Sequence, residues 1–166
     1  MRILIVALIS TLVIQFATPY AQACGDKTMR VKTGLRFYQT EAARHPSKIL
    51  IHSAALPSGK AYELREFLNK AGHKSTVTDD MSGIQNDVRS SHYDIVLTNL
   101  AEAAELQKQI ESFTPKTLVV PVLFKQSKLD EKAAAKQYKV IVNNPRDGLD
   151  FLIAVSRVMN SQTKKS

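Results

Sequence analysis

From Lys48 onward the apolar positions alternate between two rhythms. Lys48-Ile49-Leu50-Ile51-His52 is a short, nearly unbroken apolar run, as expected of a strand buried on both faces. Pro57 and Gly59 mark a loop over Ser53–Gly59. Ala61, Leu64, Leu68 and Ala71, joined by Phe67, then fall on one stripe of a helix over Lys60–Ala71. Gly72 stands where a left-handed cap closes such a helix. Ser75–Thr78 reads as a weaker strand ending at Asp79-Asp80, and Met81, Ile84 and Val88 mark a second helix. Tyr93–Thr98 is the third strand, followed by Asn99. Ala103, Leu106, Ile110 and Phe113 line one side of a third helix.

The remainder keeps the same alternation. Thr117–Leu123 reads as a strand with Pro121 near its end, where the loss of a donor is tolerated. Asp130–Tyr138 is a short helix rich in Ala and Lys, and Lys139–Val142 is the last strand. Leu152, Val155 and Met159 share one face of a closing helix over Leu149–Met159, and residues 161–166 form a loose tail. Five strands alternating with five helices imply one α/β domain over residues 48–160, a parallel sheet with helices on both faces. The carboxyl end of the central strand then faces the crevice where such sheets keep their chemistry. There the chain carries Asn99, an amide rather than a carboxylate.

The first residues follow another pattern. Arg2, an apolar stretch over residues 3–17 and Ala21-Gln22-Ala23 describe an export signal over residues 1–23, cut before Cys24. The stretch is short for a membrane span, which needs about 20 apolar residues. Cys24, the single cysteine, would open the mature chain, either as a free thiol that can pair with another chain or as the site of a lipid anchor. Ala21 and Gln22 fit the run that precedes a lipidated cysteine poorly, which favours plain secretion into the periplasm. Residues 24–47 form an extension: Met29–Lys32 alternates like an edge strand, and Leu35, Tyr38 and Ala42 share helical spacing until Pro46.

The formal charge is +8, with basic residues along the chain and small concentrations at Lys27–Arg36 and Lys164-Lys165. In an exported protein that favours anionic lipid head groups or envelope polymers over nucleic acid, and a basic surface serving solubility over either. Apolar content is sufficient for an ordinary core, which excludes disorder.

The chemistry-bearing residues are sparse. Asp79-Asp80 would lie on the crevice side of the sheet as a cation or amine site, although Asp80 capping the following helix is the simpler reading. His52 is read as an ordinary strand-end residue and His45, His73 and His92 as surface loop residues, since no two have metal-type spacing. Ser53 lacks the glycine elbow of hydrolases. Ser58-Gly59-Lys60 is a loop-to-helix turn rather than a phosphate cradle. No catalytic set, metal or cofactor is expected.

Lys48-Ile49-Leu50-Ile51, Tyr93-Asp94-Ile95-Val96-Leu97 and Asn144-Pro145-Arg146-Asp147 before an amphipathic helix resemble a response-regulator receiver domain. The resemblance implies a flavodoxin-like, doubly wound, five-stranded parallel sheet in the order 2-1-3-4-5. In that family an Asp ending strand three takes a phosphoryl group. Acids after strand one hold Mg²⁺, a hydroxyl follows strand four, and a Lys precedes Pro after strand five. The matching positions here are Asn99, Ser53-Ala54, the neighbourhood of Val122-Leu123, and Asn144. The resemblance therefore implies a degenerate receiver that cannot be phosphorylated, with Asn99 and Asn144 hydrogen-bonding each other across the sheet end or orienting a small polar ligand. Docking of an envelope protein partner is the first expectation. The face built by helix four, strand five and helix five would serve it, with Lys132, Lys136, Tyr138 and Arg157. A small ligand among Ser53, Asp79, Asn99 and Asn144 is the alternative. The opening Cys24-Gly25-Asp26-Lys27, with Gly34-Leu35-Arg36-Phe37 after it, is similar to a group of exported bacterial proteins that begin Cys-Gly-Asp-Lys.

Overall fold

The computed structural model describes Arg36, Tyr38, Ala42 and residues 45–163. The export signal, Cys24 and the alternating segment Met29–Lys32 lie outside the described residues. Strands β1 (Lys48–His52), β2 (Lys74–Thr78), β3 (Ile95–Asn99), β4 (Leu118–Leu123) and β5 (Val142–Asn143) alternate with helices α1 (Lys60–Ala71), α2 (Met81–Ser90), α3 (Leu100–Glu111), α4 (Lys128–Gln137) and α5 (Gly148–Thr163). The sheet is parallel throughout, in the order β2-β1-β3-β4-β5, as expected.

Side chains of a strand point alternately to opposite faces, so each continuous apolar run divides between two cores. Ile49 and Ile51 of β1, Ile95 and Leu97 of β3, and Val120 and Val122 of β4 meet Leu64 and Leu68 of α1 and Leu152, Val155 and Val158 of α5. Leu50, Val96, Val119 and Leu123 face the other way, onto Ile84 and Val88 of α2, Leu106 and Ile110 of α3, and Ala134 of α4. Each large side chain buried this completely contributes roughly 1.5–3 kcal/mol relative to exposure. Tyr38 packs against the first of these cores, and Arg36, Tyr38 and Ala42 are helical, in keeping with the spacing of the extension.

Several boundaries differ from the sequence reading. A 3-10 turn, Ser53–Ala55, occupies the start of the expected loop after β1. The α4 helix begins at Lys128 because the Ser127 hydroxyl accepts the Asp130 N–H as its cap. The last strand is Val142–Asn143 rather than Lys139–Val142, and its pairing with β4 is confined to Val122↔Val142 and Leu123↔Asn143. At the carboxyl terminus α5 continues to Thr163, so residues 161–163 are helical; the Gln162 amide donates to the Lys116 carbonyl at 3.0 Å. His73 is buried rather than a surface loop residue, its Nδ1 accepting the Ser47 N–H at 3.2 Å.

Tyr138, expected on a docking face, is buried in the second core. Burial pushes its phenol above the ordinary 10.0. Because the folded value is the higher one, the associated stabilisation is complete below about pH 10 and is lost as pH rises through the folded value. Thermal melts across the alkaline range should therefore show a steeper fall for the parent than for Tyr138→Phe; parallel curves would refute this.

Candidate functional site

The carboxyl ends of the strands gather the crevice residues. Strand β1 delivers His52, and the turn after it holds Ser53, half-buried, and Ala54, exposed. Strand β2 ends ahead of Asp79 and Asp80, and β3 ends at Thr98 and Asn99. In the parallel register Asn99 lies opposite Val122, an apolar residue where the receiver pattern has a hydroxyl nearby.

Most of these side chains serve the backbone. Asn99 is the N-cap of α3, its Oδ1 accepting the Glu102 N–H at 2.9 Å. The Asp80 carboxylate accepts the Ser82 N–H and caps α2. The Ser82 hydroxyl, then the Ser82 backbone N–H, hold that carboxyl below its ordinary 3.8. Asp79 is exposed and accepts from the Tyr62 hydroxyl at 3.3 Å.

Asn144 has a left-handed backbone, φ 44°, which Asn tolerates better than most residues. Its Oδ1 accepts the Lys125 N–H at 2.8 Å, joining the loops after β4 and β5, and its Nδ2 donates to Asn143 Oδ1 at 3.0 Å. The expected amide pair between Asn99 and Asn144 is therefore not formed: each oxygen satisfies a backbone donor beside it.

The arrangement that the sequence reading missed is centred on His52. Its side chain is buried at the end of β1, with Nδ1 2.8 Å from Glu102 Oε2 and 3.4 Å from Thr98 Oγ1. The Thr98 hydroxyl in turn donates to Glu102 Oε2 at 3.3 Å. His52 is thus a tied, interior side chain rather than an ordinary strand end. The sequence pointed Glu102 elsewhere: Asn99 followed three residues later by Glu102 has the spacing of a capping box. Instead of returning to the Asn99 N–H, the Glu102 carboxylate turns inward to the imidazole.

The residues at the receiver cation positions do not fit a divalent cation. The positions that hold it in receivers offer the Ser53 hydroxyl, the Ala54 methyl and an amide already used as a cap. Neutral oxygens of this kind replace the carboxylates such an ion requires. Among the described residues no group of three or more His, Cys, Asp or Glu side chains is arranged to hold a metal. No helix among them is long and apolar enough to cross a membrane.

A solved structure shares this architecture. The signal receiver domain of an HD domain-containing protein from Pseudomonas fluorescens Pf-5 superposes with a TM-score of 0.57 at 15% sequence identity, covering 72% of this chain and 98% of that one. The fold is that of a receiver domain. At such low identity the likeness concerns fold alone. No protein-family profile matches the chain, and no curated protein matches its sequence.

Proposed function

We propose that the chain is an exported, non-catalytic module on a receiver scaffold that docks a protein partner in the cell envelope. The observation that carries this reading is the commitment of Asn99: the residue at the tip of β3 is an amide, and its oxygen is used to cap α3. An amide cannot form an acyl phosphate, and no carboxylate replaces it at that position. The leader-like first 23 residues support export. Docking is supported by Leu129, 78% exposed on α4, with Lys132 and Lys136 exposed farther along that helix and Arg157 exposed on α5. An exposed apolar side chain among charged neighbours of both signs, Asp130 and Glu131 as well as Lys128 and Lys132, is a composition that suits a contact surface. Tyr138 takes no part, being interior. A small polar ligand in the crevice has less support, since the side-chain oxygens of Asn99 and Asn144 are held by backbone donors and Asp79 accepts from the Tyr62 hydroxyl.

Two measurements test the reading. Incubation with Mg²⁺ and acetyl phosphate should leave the intact mass unchanged; a base-labile phosphoryl adduct would reject the non-catalytic assignment. Crosslinking in intact cells should trap one envelope neighbour, and Leu129→Asp should reduce the yield about tenfold with an unchanged melting temperature, a hot-spot loss of roughly 1.4 kcal/mol. An unchanged yield would remove this face from the proposal.

A further inference from the structure

A cleft of about 460 Å³ opens beside the crevice, between the first turns of α1 and α5 and the loop after β4. Its volume lies within the range of small-molecule sites, and it sits at the carboxyl end of the sheet, where α/β folds bind ligands. Leu56, Leu64, Phe124 and Phe151 supply its apolar surface. It includes none of Ser53, Asp79, Asn99 and Asn144.

The charges at its mouth are not equivalent. Glu63 is held by Lys60 at 2.6 Å, and the Asp147 carboxylate accepts the Leu149 N–H at 2.9 Å. Asp150 accepts the backbone N–H of Arg146 at 2.8 Å, while the guanidinium of the same residue is 3.9 Å from that oxygen, at the outer limit of an ion pair. Arg146 is 89% exposed. The acids are thus committed to near donors, and the planar fork of Arg146, suited to a carboxylate, is the least satisfied group on the rim.

We propose that this cleft binds a small amphipathic organic acid. Its carboxylate pairs with Arg146, and its aryl or branched hydrocarbon part enters between Phe124 and Phe151. The cleft includes none of Leu129, Lys132, Lys136 and Arg157, so this inference and the partner-docking reading can fail separately.

The test is calorimetric titration of the purified protein with 4-phenylbutyrate, 4-phenylbutanol and 4-phenylbutylamine. The acid should bind saturably, more tightly than the alcohol, and the amine most weakly. Arg146→Gln, at an exposed position, should weaken the acid about tenfold and leave the alcohol unchanged, the fold-change expected from one charge-assisted contact. Phe124→Ser should weaken acid and alcohol alike. No saturable binding of the acid, equal affinity for acid and amine, or an Arg146→Gln variant that binds the acid as the parent does would each overturn the proposal.

Discussion

Replacing Glu102 with alanine is expected to lower the unfolding free energy by about 2 kcal/mol, more than its half-exposed position on α3 suggests. The effect originates in His52. Its buried ring has one short polar contact, with Glu102 Oε2 at 2.8 Å, and a longer hydrogen bond with Thr98 Oγ1 at 3.4 Å. Truncating the carboxylate leaves an interior polar group under-satisfied, which costs about 1–3 kcal/mol. Partial exposure of Glu102 lets water enter and keeps the cost below that of breaking a fully buried pair. The cap of α3 is spared, because Asn99 accepts the Glu102 backbone N–H, which alanine retains.

In His52→Leu the buried group no longer requires a partner, so adding Glu102→Ala to that background should cost well under 1 kcal/mol. Urea unfolding of the parent, both single variants and the double variant gives the coupling from midpoints at constant m-value. If Glu102→Ala costs the same in both backgrounds, the contact carries no stabilisation.

This pair also shows what a sequence conveys and what it hides. The two cores were legible because the apolar runs Ile49–Ile51 and Ile95–Leu97 and the helical stripe Leu64, Leu68 follow backbone geometry, which local spacing records. The caps at Asp80 and Gly72 were legible for the same reason. The tie of His52 to Glu102 was not, since it joins residues far apart in the chain through a side chain whose spacing favoured a local cap. The last strand was misplaced on other grounds. Val140 and Ile141 do pack against the two cores, on opposite sides of the sheet, so their alternation is that of a strand. Yet ladder pairing with β4 starts only at Val142. Apolar alternation reports burial, and burial does not require a hydrogen-bonded ladder. Asn144 was read from the receiver pattern as a lost lysine. Its positive φ and its bond to Lys125 give it a structural role that no pattern of residue types reveals.

Gly148→Ala offers a contrasting case, in which propensity and packing oppose each other. Gly148 opens α5, and a methyl group there would come inside 3 Å of three ring atoms of Phe67, the Cγ at 2.7 Å being the most distant. Helix propensity alone favours alanine by up to about 1 kcal/mol. Overlap with the ring costs about 1–3 kcal/mol, since Phe67 packs against the first core and its Cγ cannot retreat without moving the side chain as a whole. Packing should win, leaving Gly148→Ala destabilised by about 1 kcal/mol. In the Phe67→Leu background the obstruction is a smaller, more adaptable side chain, and the propensity gain should then dominate. Gly148→Ala is expected to be neutral or stabilising there, a reversal of sign readable in chemical denaturation. A substitution that destabilises equally with and without the ring would mean that the glycine serves something other than the close approach of α1 to α5.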